Sequence, residues 1–156
     1  MANQDQNQII ADVAREVIRQ TAPEELPLFR STSTTYFQNP ERVRKEEKNR
    51  DEALSFGAGE AVILLTPYVL QVMTEVVKFV AGEVQKSLAT ESASLISDIV
   101  KKLFKRVRPE ENDLAPLTAA QLAQVRTVAY EKARKLKLPD GQANLLADAI
   151  KGTLLS

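Results

Sequence analysis

The chain has 156 residues, 44% of them apolar and 27% charged, with 21 basic and 21 acidic side chains and a formal net charge of zero. That length and composition fit one globular domain, or one domain with a small appendage, and exclude a disordered or fibrous chain. There is no cysteine and no histidine, which removes disulfides, thiolate metal sites, the commonest zinc ligand and the Ser-His-Asp and Cys-His types of nucleophilic site.

The polar opening MANQDQNQ lacks the basic and apolar regions of a secretory signal. The expected location is therefore cytoplasmic, with membrane association as the alternative if a later apolar segment meets lipid. The first predicted helix runs from about Gln4 to Gln20. Ile9, Ile10, Val13, Ala14, Val17 and Ile18 fall on one helical face, with Asp5, Asp12, Arg15, Glu16 and Arg19 opposite. Pro23 and Pro27 are expected to close that helical region.

Residues 26–38, LPLFRSTSTTYFQ, read as a linker: a loop whose aromatic side chains pin it to the bundle, with room for a short extended piece. NPERVRKEEKNRDEALSF follows, with Asn39 as N-cap and Pro40 at the first helical position. Its dense charge and thin apolar stripe predict an exposed helix at 40–56.

The stretch EAVILLTPYVLQVMTEVVKFVAGEVQ, residues 60–85, is the most apolar part of the chain. Thr66 and Pro67 read as helix start, predicting a long apolar helix over 67–88. Gln71, Thr74, Glu75, Lys78, Gly82, Gln85 and Lys86 form one polar stripe along it at the helical period. A stripe of that kind suits a bundle helix with one wet edge. It also suits a helix facing a pore or partner with its apolar side in lipid, where unsheltered charges cost about 2.5–3.5 kcal/mol each. Val69, Val72, Val76, Val80 and Val84 are the candidate lipid- or partner-facing residues in that second case.

A helix over residues 95–107 repeats a strong apolar face through Leu95, Ile96, Ile99, Val100, Leu103, Phe104 and Val107. RPEENDLAP then marks a linker at 109–117. Thr118 with Gln121 reads as a capping box opening a helix whose inner face holds Leu122, Val125, Ala129 and Leu136. Leu138-Pro139-Asp140-Gly141 is expected as a tight turn before a last helix with Ala143, Leu146, Ala149, Ile150 and Leu154. These two helices make an αα-hairpin too small to be stable alone, so it must dock on this chain or on another subunit.

The basic run KKLFKRVR places Lys101, Lys102, Lys105, Arg106 and Arg108 opposite the apolar face of its helix. Helix-dipole complementarity explains part of this, and contact with an anionic membrane surface is the functional candidate. No aromatic side chain interleaves with the cations and the net charge is zero, so nucleic acid is disfavoured as a partner. The pairs Glu24-Glu25, Glu46-Glu47 and Glu110-Glu111 all fall in segments expected to be exposed, where general acid–base chemistry has no pocket to work in. No glycine-rich phosphate loop or dinucleotide fingerprint occurs. No catalytic residue, metal or cofactor is expected.

The expected architecture is all-α: about six helices bundled around the 67–88 helix over residues 1–108, a linker at 109–117, and a C-terminal hairpin at 118–156. The expected function is a non-enzymatic interaction or assembly protein. It would recognise a protein partner, or itself as a homo-oligomer, through a helix face. Leu146, Ile150 and Leu154 on the last helix, and the 40–56 helix, are the partner-contact candidates. The alternative is a membrane-active, pore-forming or effector protein that inserts the 61–88 segment.

Overall fold

Ile9, Ile10, Val13, Ala14, Val17 and Ile18 are all buried on the inner face of helix α1, Ala2–Thr21. In the computed structural model, which describes residues 2–39, 64–88, 93–104 and 117–154, this face is one wall of a continuous apolar core. Arg19 and Glu16 pair on its outer side, and that contact raises the Arg19 pKa first through the hydrogen bond and then through the charge. The expected helix at 40–56 and most of the linker at 109–117 lie outside the described residues.

Pro23 opens a 3-10 turn, Pro23–Glu25, and Leu26 leads directly into α2, Leu26–Gln38. The loop expected at 26–38 is thus a helix, and Pro27 helps to open it rather than to close the one before. A proline in the first turn removes no helical hydrogen bond. Phe29, Ser33 and Tyr36 recur at i, i+4 and i+7 and are buried. The five consecutive hydroxyl residues Ser31–Thr35 disfavour this helix by up to about 0.7 kcal/mol each relative to alanine. Ser31, Ser33 and Thr34 turn their hydroxyls back onto the carbonyls of Leu28 and Arg30 at 2.8–3.1 Å. Tertiary burial of the aromatic side chains overrides the local strand preference.

Helix α3, Thr66–Leu88, has 23 residues, a length of roughly 35 Å. It packs against α1, α2, α5 (Ala119–Lys135) and α4 (Ala93–Leu103). Tyr68, Val69, Leu70, Val72, Met73, Val76, Val77, Val80 and Val84 are buried. It is not apolar throughout: Lys78, Gln85 and Lys86 are exposed, and no helix among the described residues is long and apolar enough to cross a membrane.

Ile96, Val100 and Leu103 of α4 face the core. The helix ends at Leu103, short of the predicted Val107, because Phe104 leaves it to form an isolated antiparallel bridge with Leu154. The last described residues of the chain are thereby tied to the end of α4.

The capping box forms as expected. Gln121 N–H donates to Thr118 Oγ1 at 3.1 Å, and Thr118 N–H donates to Gln121 Oε1 at 2.9 Å. Leu122, Val125, Ala129 and Ala133 then line the inner face of α5, with Leu136 only half-buried. The helix ends in a two-bond C-terminal motif: Leu138 N–H to Ala133 O at 3.1 Å and Lys137 N–H to Arg134 O at 2.9 Å. The turn is therefore Leu136–Pro139, two residues earlier than expected, and Asp140 and Gly141 already lie in the first turn of α6, Asp140–Gly152. Helices α5 and α6 pack on each other, and the hairpin docks on α1 and α3 of the same chain.

Candidate functional surface

Glu25 sits at the end of the 3-10 turn and is only 5% exposed, whereas its neighbour Glu24 is exposed. Its carboxylate accepts from Leu65 N–H at 2.9 Å through Oε2. Through Oε1 it accepts from Thr66 N–H at 2.9 Å and from the Thr66 hydroxyl at 2.7 Å. These donors open α3. A carboxylate here satisfies groups that have no partner inside the helix and opposes the positive end of its dipole. Glu25 was expected to be exposed. Its partners lie 40 and 41 residues further on, so no local pattern announces them.

A second polar contact joins the same two helices. The hydroxyls of Tyr36 and Thr74 are 2.9 Å apart, and Thr74 also donates back to Leu70 O at 2.8 Å. Glu25 meets the start of α3, and Tyr36, near the end of α2, meets α3 two turns on. The two helices therefore run in the same direction. The polar stripe expected along α3 divides accordingly: Gln71 is buried and Thr74 is turned to Tyr36, while Lys78, Gln85 and Lys86 reach solvent.

The valine series has a plain location. Val69, Val72, Val76 and Val80 have no exposure at all and Val84 is buried, covered by this chain's own helices. They form no lipid- or partner-facing surface in this fold. The partner-contact residues Leu146, Ile150 and Leu154 are likewise buried: Leu146 and Ile150 lie on the side of α6 that docks the hairpin, and Leu154, just beyond the helix, pairs with Phe104. Of the basic cluster, Lys101 and Lys102 are exposed on α4; Lys105, Arg106 and Arg108 lie outside the described residues.

The outer side of the hairpin carries a polar seam. Arg126 Nε donates to Asp148 Oδ1 at 2.7 Å and its Nη2 donates to Asn144 Oδ1 at 2.8 Å. Asn144 in turn donates to the carbonyl of Asp140 at 3.1 Å. The Tyr130 hydroxyl donates to the Asp140 carboxylate, and this bond, ahead of burial and charge, raises the Tyr130 pKa. One guanidinium fork thus fixes the register of α6 on α5.

Beside that seam lies the surface that the sequence pattern did not single out. Gly141, Leu145, Ala149 and Gly152 follow at i, i+4, i+8 and i+11 along one line of α6. Leu145 is 53% exposed, and a Cβ at Gly141 or Gly152 would meet nothing within 4 Å. Leu28 on α2, 52% exposed, is the other large exposed apolar side chain among the described residues. The signal for Leu145 was present in its spacing from Leu146. Two adjacent leucines on a helix stand about 100° apart, and only one can join the inner row.

Among the described residues, no three acidic, histidine or cysteine side chains gather as a metal site would require. No protein-family model matches the sequence, and no curated protein or solved structure matches the chain.

Proposed function

We propose that this chain is a non-enzymatic interaction protein that recognises a helical partner, or a second copy of itself, through the outer face of α6. The observation that carries the reading is the exposed Leu145, set between two glycines with open space before them, on a helix whose other leucine, Leu146, is spent inside. Glycines on either side of an apolar anchor let a second helix approach closely, and the anchor supplies the apolar contact. The Arg126 fork holds this face rigid from the side, which lowers the ordering cost of binding. Insertion of the 61–88 segment into a membrane, the second reading, requires α3 to leave the packing of four other helices.

Sedimentation velocity over a range of protein concentrations tests self-recognition, and comparative capture from cell extract tests a different partner. Leu145→Glu should abolish the concentration-dependent association, or remove a specific captured protein, with an unchanged circular dichroism spectrum. Leu28→Glu should leave both unaffected. A monomer at every concentration, with identical capture by wild type and Leu145→Glu, would remove the reading.

A further inference from the structure

We infer that α2, together with the 3-10 turn before it, is a latched strap that opens off α3 and α1 as a unit while the rest of the chain stays folded. Three observations converge on it.

The first is how little apolar surface holds α2 down. Phe29 and Tyr36 are its only fully buried apolar side chains, with Leu26 and Phe37 partly buried, whereas α1 contributes six buried residues from Ile9 to Ile18. The second is the run Ser31–Thr35, in which Ser31, Ser33 and Thr34 fold their hydroxyls back onto α2's own carbonyls. Such back-bonding weakens a helix. The third is that two polar stations fasten it. Glu25 binds the opening of α3 with three hydrogen bonds at one end, and Tyr36 meets Thr74 at the other. Segments that open below global unfolding are those with few apolar contacts. Here the polar stations supply much of what the apolar contact does not.

Opening uncovers a defined surface. Thr66, Leu70 and Thr74 stand at i, i+4 and i+8, one line along α3. Two of them are the strap's own polar partners, so Leu70, fully buried in the closed form, lies on the face that α2 covers. Release of the strap exposes Leu70 between two threonine hydroxyls, with a free helix N-terminus at the head of the line. This holds whether or not the outer face of α6 recognises a partner.

Hydrogen exchange of the full-length chain, followed by mass spectrometry under native conditions, tests the strap directly. Amides of residues 28–38 should exchange at least about tenfold faster than the core amides of α1 and α3. Glu25→Gln loses the ionic acceptor and should speed exchange in α2 and in the first turn of α3 by about another tenfold, leaving α5 and α6 unchanged. Tyr36→Phe should speed the second half of α2 alone. Equal exchange of α2 and α3 in the wild-type chain would overturn the proposal, even if Glu25→Gln proved too unstable to study. A uniform rise across all helices in Glu25→Gln would overturn it as well.

Discussion

Lys137 holds φ at 70°, the left-handed conformation that closes α5. A side chain with a Cβ is strained there, and the position usually falls to glycine. Lys137→Gly should therefore stabilise the protein by about 1 kcal/mol, read as a higher denaturant midpoint with an unchanged slope. An unchanged or lower midpoint would mean that the lysine stem compensates for the strain. Tyr130 gives the pH counterpart. Its folded pKa is raised above the ordinary tyrosine range, first by the hydrogen bond to Asp140. The resulting stability is fully present below that range and is lost as pH rises through the raised value. Unfolding midpoints recorded from about pH 8 to about pH 11 should fall, and Tyr130→Phe should fall less steeply over the same interval. Equal slopes would separate the alkaline loss from this phenol. Residues of this kind were the least legible in the sequence. The capping pair Thr118–Gln121 is local and could be read directly. The role of Glu25 depends on donors 40 residues away and could not.

At the scale of elements, legibility followed how much of an element's stability is encoded in its own period. The six inner residues of α1 and the inner face of α5 as far as Ala129 were readable because burial repeats every three to four residues. Helix α2 was not, since five hydroxyl residues mask a face made of only Phe29, Ser33 and Tyr36. The hairpin turn shifted because a Lys at the left-handed position leaves no glycine signal, while Asp140-Gly141 imitates one. The hairpin also shows how small residues set helix distance. Ala129, Ala133, Ala143 and Ala147 have no exposure, so the two helices meet over side chains with little to move aside. Ala147→Leu should force them apart and cost about 1–3 kcal/mol, measured by chemical denaturation. A variant as stable as wild type would show spare volume at this seam.

At the scale of the molecule, the apolar faces of the six helices among the described residues meet in one core, the C-terminal hairpin included. The all-α class was legible from composition and period. Which face of each helix would be left outside was not, because that depends on how many neighbours a helix acquires. Helix α3 acquires four, and so its valines are interior rather than free. Helix α6 meets α5 and α1 on one side, and so Leu145 stays outside while Leu146 does not.

The most direct measurement of this account is equilibrium denaturation of Val76→Glu. Val76 has no exposure at all, and burying an unpaired carboxylate in its place removes more than about 4 kcal/mol, a large share of a domain's stability. The Val76→Glu chain should be unfolded, or close to it, at neutral pH without denaturant. A Val76→Glu chain that folds with the wild-type midpoint would contradict it, since Val76 would then lie on a free surface.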